Sequence, residues 1–280
     1  MRKKDKKALP IGNSDFKDII EKKSFYVDKT ELIEDVLYKN ATVSLFTRPR
    51  RFGKTLNMSM IKYFFDVRNK DENRKLFEGL KIFGSEYMRE QGKYLVIFVS
   101  LKDLRADTWE DTFENLKSFI SDLYAEFEDM REIMNKRDKI KFDKIFYEEE
   151  KGDYETALKL LSNYIYKYYG KKVIILIDEY DALIINAFDK GYYNEAINFF
   201  QVFYSSALKT NDSLKYGILT GITRIIKEGI FSGLNNLKVD TILNKKFSEY
   251  FGLLESEVIK MLDYFEMKYK IEEVKEWYNG

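Results

Sequence analysis

Residues 45–60 read LFTRPRRFGKTLNMSM, and Gly53, Lys54 and Thr55 in this stretch form the triplet that closes a phosphate-cradling loop. Where strand, tight turn and helix start meet, backbone N–H groups and the helix dipole converge on an anion. In that setting Gly53 lets the backbone come close, Lys54 is placed to reach β- and γ-phosphates, and the Thr55 hydroxyl is placed to ligate Mg²⁺. The usual loop opens on a glycine where this chain has Arg48, followed by Pro49, Arg50, Arg51 and Phe52. A Gly-Lys-Thr also occurs by chance as a basic turn capping a helix, so the triplet alone does not decide.

Two further stretches bear on it. In KVIILIDEYDALI (residues 172–184) an apolar run ends in Asp178-Glu179, the form of a Walker B element. An acid at the carboxyl end of a core strand lies where open parallel sheets bind ligands. Asp178 is suited to hold Mg²⁺, and Glu179 to orient and deprotonate a water. The plainer reading is an acidic pair capping the next helix, with Asp181 as a second capping or metal-shell carboxylate. In YGILTGITR (residues 216–224), Thr220 ends a strand in the position that senses a γ-phosphate. Arg224 is the last arginine of the chain and the candidate for neutralising transition-state charge, with a surface salt bridge as the alternative. Arg48, Arg50 and Arg51 are candidates for phosphate contact, loop bracing, a partner's acidic surface or DNA.

Composition narrows the chemistry. The 280 residues include no Cys and no His. That removes disulfides, thiolate nucleophiles, imidazole bases and most zinc sites, leaving carboxylates, Lys, Arg, hydroxyls and a hard cation such as Mg²⁺. A net charge of +1 gives no overall pull toward nucleic acid. The start, MRKKDKKALP, is basic without a signal-peptide apolar run, either a solvated tail or a nucleic-acid arm. No uncharged stretch approaches the roughly 18 residues of a membrane span, so a cytoplasmic location is expected.

The elements that must position these residues alternate. Apolar runs at Ala41–Thr47, Tyr94–Leu101, Lys172–Ile177 and Leu214–Leu219 suit buried parallel strands, with a weaker fifth near Leu243–Phe247. Helical stripes lie between them: residues 55–65; Phe113, Leu116, Ile120, Leu123 and Phe127; and Leu158, Leu161, Ile165 and Tyr168 before Gly170. The alternation predicts an α/β fold with a central parallel sheet flanked by helices. The polar stretch from Asp129 to Lys151 reads as an exposed insertion. Ile11, Phe16 and Tyr26, ahead of the loop, are candidates to cover a base or to pack in the core. From Leu253 on the chain reads as helices, so residues 1–250 form one expected domain, with 1–40 as its N-terminal segment. Residues 251–280 read as the start of a helical lid or linker, truncated.

Taken in order, LPIGNSDFKDII, FYVDKTELIEDVL, LFTRPRRFGKTLNMSM, VIILIDEYDALI, LTGITRI and IFSGLNNL resemble the predicted AAA-ATPase-like family of bacteria and archaea. Its loop normally opens with arginine, and its members are often fused to a PD-(D/E)XK nuclease-like C-terminal region. The resemblance implies a P-loop NTPase of the additional-strand type, with sheet order 5-1-4-3-2 and a small helical C-terminal portion. It also implies Lys54, Thr55, Asp178 and Glu179 in the Walker positions, residues 220–224 as the sensor region, and ATP with Mg²⁺ as ligands. The chain stops where family members continue, with no nuclease-like core, and no role follows for Asn235 and Asn236. Two readings remain: an ATPase, or a nucleotide-gated scaffold or DNA- or partner-interaction module with little turnover. A small-molecule kinase is a third, weaker one, for want of lid arginines.

Overall fold

The computed structural model describes residues 6–223, 237–267 and 270–279. Helices α1 (Phe16–Glu21) and α2 (Glu31–Lys39) precede strand β1 (Val43–Thr47). Helices α3 (Lys54–Phe65) and α4 (Lys70–Lys75) lead to β2 (Leu95–Ser100). Helices α5 (Trp109–Ala125), α6 (Lys136–Phe146) and α7 (Ala157–Tyr169) lead to β3 (Val173–Asp178). Then α8 (Ala182–Lys190) and α9 (Tyr193–Leu208) lead to β4 (Leu214–Gly221), followed by β5 (Leu237–Asp240), α10 (Glu255–Tyr264) and α11 (Ile271–Asn279). The five strands form one sheet in the order β2-β3-β4-β1-β5, every neighbouring pair parallel. This is the expected order, with helices on both sides.

Strand periodicity splits the core in two. On β3, Val173, Ile175 and Ile177 join a cluster with Leu116 and Ile120 of α5, Leu161 and Ile165 of α7, and Phe200 and Phe203 of α9. The intervening Ile174 and Leu176 join Phe16, Leu32, Met58, Ile61 and Phe64 on the other face. With β3 buried along its whole length, an unbroken apolar run is what it needs. Helix α7 stops at Gly170, whose φ of 66° closes the helix in the left-handed region.

Two expectations change, and one open pair of readings is decided. The fifth strand is Leu237–Asp240, not Leu243–Phe247; Thr241 and Asn244 close a turn, and Phe247 packs from a 3₁₀ segment. As a four-residue edge strand beside β1, Leu-Lys-Val-Asp needs no apolar run and shows none. The stretch 129–151 is not simply an exposed insertion, because Met130, Phe142 and Ile145 are buried in the core. Its apolar positions are few and spaced at helical intervals, so the charges between them mask the inner face. Phe16 is a core residue packed on Tyr26 and Phe77, whereas Ile11 is 89% exposed.

The segment after β5 returns to the N-terminal helices. Lys29 Nζ donates to both carboxylate oxygens of Glu257 (2.5 and 2.7 Å) and to the Glu249 carbonyl. The Tyr250 hydroxyl donates to Asp35, and the Asn57 amide donates to the Tyr250 carbonyl. Among the described residues, no helix is long and apolar enough to cross a membrane.

Candidate functional site

The strand order decides what meets at the carboxyl edge. β4 lies between β1 and β3, with Phe46 opposite Thr220 and Ile177 opposite Leu219, so the ends of all three strands converge. Asp178, fully buried, closes β3 there. The Thr55 hydroxyl donates to its Oδ2 at 2.6 Å, and the Thr220 hydroxyl donates to its Oδ1. Residues from three separate stretches of sequence thus share one carboxylate.

Helix α3 begins directly after Gly53, which has φ 73°. A Cβ there would meet nothing within 4 Å, so backbone conformation and not crowding selects glycine. The first turn of α3 has neither a side-chain cap nor an acid. Its free amides and the positive end of the helix dipole are left for an anion. Lys54 is buried and folds back across the loop, Nζ donating to the carbonyls of Arg48 (3.0 Å) and Pro49 (2.8 Å). Burial pushes the Lys54 ammonium below its ordinary range, and Asp178, Glu179 and Asp181 pull it back up.

The loop arginines separate. Arg48 is buried; its guanidinium donates to the Asp240 carboxylate (2.7 Å) and to the carbonyls of Asp240 and Thr47, and lies 4.8 Å over the Phe251 ring. It ties the loop to β5, the bracing alternative among its sequence readings. Pro49, Arg50 and Arg51 are exposed. Phe52 is partly buried against the second core cluster, and its carbonyl accepts from Gly252 N–H at 3.0 Å.

Glu179 leaves β3 with φ 53°, a left-handed conformation that non-glycine residues seldom adopt. Its Oε2 lies 3.8 Å from the Arg105 guanidinium, on the loop after the neighbouring strand β2. Arg105 escaped the sequence reading, although an arginine just past the carboxyl end of a buried strand was the available signal. Asp181 stands at the N-cap of α8, but its side chain makes no capping hydrogen bond there. Its Oδ2 accepts from Ile222 N–H, Thr223 N–H and the Thr223 hydroxyl, pinning the exit from β4. Gly221 makes this possible, because a Cβ there would come within 2.7 Å of Asp181 and the Tyr180 ring.

The structure therefore gathers Lys54, Thr55, Asp178, Glu179 and Thr220, turns Arg48 to a different task, and adds Arg105. Arg224, Asn235 and Asn236 lie outside the described residues. Among the described residues no cluster of three carboxylates forms a self-sufficient cation cage. One buried carboxylate beside one hydroxyl is instead the sparse oxygen set that suits Mg²⁺, which keeps waters and takes phosphate oxygens.

A relative from Azotobacter chroococcum mcd 1, described as an uncharacterized protein in the vnfD 5′ region, is 24% identical over 282 residues. That match covers 98% of this chain and 48% of the relative, so the chain spans about half the relative's length. No solved structure matches. The family model for a predicted AAA-ATPase matches residues 10–231, well over half of the chain, and the protein belongs to that family.

Proposed function

We propose that this chain binds ATP with Mg²⁺ at the carboxyl edge of its sheet and hydrolyses it to ADP and phosphate. The observation that carries the reading is the Thr55–Asp178–Thr220 cluster standing beside the uncapped start of α3. In this reading the α3 amides and Lys54 hold the phosphates, Lys54 exchanging the Arg48 and Pro49 carbonyls for phosphate oxygens. Thr55 and Asp178 would hold Mg²⁺, which supplies charge neutralisation when bound. Thr220 orients Asp178, and Glu179 takes a proton from the attacking water. Positioning and electrostatics then supply the rate without a covalent intermediate.

One contact favours the second reading, a nucleotide-gated switch with little turnover. Arg105 stands 3.8 Å from one carboxylate oxygen of Glu179, a charge contact that works against its role as a base. Nucleotide titration with Mg²⁺ and steady-state phosphate release, with and without DNA, separate the two. Lys54→Ala is expected to abolish binding. Glu179→Gln is expected to keep binding and to lower turnover by about 10²–10⁴-fold. Wild-type binding and turnover in Lys54→Ala would falsify the site. Turnover close to zero in both wild type and Glu179→Gln, with binding intact, leaves the switch.

A further inference from the structure

Helix α6 carries five cations, Lys136, Arg137, Lys139, Lys141 and Lys144, and none of them is in an ion pair among the described residues. Its two acids are engaged by groups from elsewhere. Asp138 takes Lys167 Nζ (2.5 Å), the Tyr168 hydroxyl (2.7 Å) and the Asn135 amide, and Asp143 takes Arg131 (2.8 Å). With those acids neutralised from outside, the helix's own cations stand as uncompensated charge. In a chain whose net charge is only +1, that concentrates positive potential on one face.

The face is shallow and open, and it is anchored. Phe142 and Ile145 fix its inner side in the core. Outside, a cleft of about 490 Å³ along Lys136, Ile140 and Lys144 adjoins one of about 380 Å³ between α6 and α7, and Arg137 and Lys141 line both. The second cleft is also lined by Lys167 and by Tyr164, which is 6% exposed and whose hydroxyl has no hydrogen-bond partner. A buried hydroxyl without a partner is costly, and a ligand oxygen would satisfy it. Burial pushes the Tyr164 phenol up to about 12, so at neutral pH it remains a donor.

We propose that the α6 face and the α6–α7 cleft bind a single nucleic-acid strand, its phosphates on Arg137, Lys141, Lys144 and the Tyr164 hydroxyl. Along the helix these three cations recur at intervals of roughly 4.5–6 Å, a ladder suited to a polyanion. Apolar surface sits among the charges: Ile140 is 52% exposed between them, and Tyr147, at the helix end, is 59% exposed. Unpaired bases can lie on such surface, whereas a duplex keeps its bases covered. The site is separate from the Lys54 loop. Asn135, at the start of α6, bonds Tyr168 near the end of α7, and α7 feeds the amino end of β3, opposite Asp178.

The test is fluorescence anisotropy on the full chain, with a labelled mixed-sequence single-stranded oligodeoxynucleotide, its duplex, and unlabelled polyglutamate as competitor, over a salt series. Wild type is expected to bind the single strand more tightly than the duplex. The double variant Arg137→Glu/Lys141→Glu is expected to weaken binding at least about tenfold and to lower the salt slope by roughly 1.4. Tyr164→Phe keeps the ring and is expected to weaken binding roughly two- to tenfold without changing that slope. Circular dichroism melts check that each variant is folded. Absence of binding, affinity untouched by the double reversal, preference for the duplex, or equal competition by polyglutamate overturns the proposal.

Discussion

The loop end of the sheet and the outer face of α6 treat charge in opposite ways. At the loop end each buried charge has partners from the protein, although the Arg48 Nε is left without one. Arg48 has Asp240 and two carbonyls, Lys54 has two carbonyls, Asp178 has two hydroxyls, and Asp181 has two amides and a hydroxyl. On α6 the acids are matched, Lys136, Arg137 and Lys141 face solvent, and Lys139 and Lys144 are partly exposed. The difference follows from desolvation: a buried charge without partners costs several kcal/mol, while an exposed one is satisfied by water. Charge at the loop end is therefore committed to structure. Charge on α6 is free for a partner.

The sharpest way to break that contrast is Arg48→Met. It leaves Asp240, itself buried, without its cation, and is expected to destabilise the chain by about 3–5 kcal/mol in chemical denaturation. Adding Asp240→Leu is expected to recover much of the loss, since replacing both partners removes the orphaned charge. A double variant as unstable as the single one would show that Arg48 acts by packing on Phe251 instead of by charge. Thr220→Val comes next. It strips one hydroxyl from Asp178 and is expected to cost about 1–3 kcal/mol, read as a lower Tm in the absence of nucleotide. The smallest effect sharpens the other side: Arg137→Glu and Lys141→Glu are each expected to shift stability by no more than about 0.5 kcal/mol. A larger loss in either would mean that the α6 charges already serve the fold.

Much of the fold was legible because burial on both faces leaves a pattern that needs no context. Val173–Ile177 can be little other than a core strand, and the Leu158–Ile165 stripe followed by Gly170 marks a helix and its stop. Pairing with β1 recruited Leu237–Asp240 as the edge strand, and nothing in its four residues announces this. The buried side of α6 was hidden for a related reason, as two or three apolar positions among many charges read as surface.

For the candidate site, residue types and local spacing were enough to single out Lys54, Thr55, Asp178, Glu179 and Thr220, because strand–turn–helix chemistry is encoded over a few adjacent residues. The sequence by itself thus determined the alternation of elements, the ends at which polar groups stand, and the absence of any sulfur or imidazole chemistry. Only the tertiary structure decided partnership. It gave Arg48 to Asp240, Arg105 to Glu179 and Asp181 to the β4 exit, pairings separated by tens to nearly two hundred positions along the chain. Such pairings are set by which strands lie side by side, and strand order is a property of the packed sheet that no local run of residues carries.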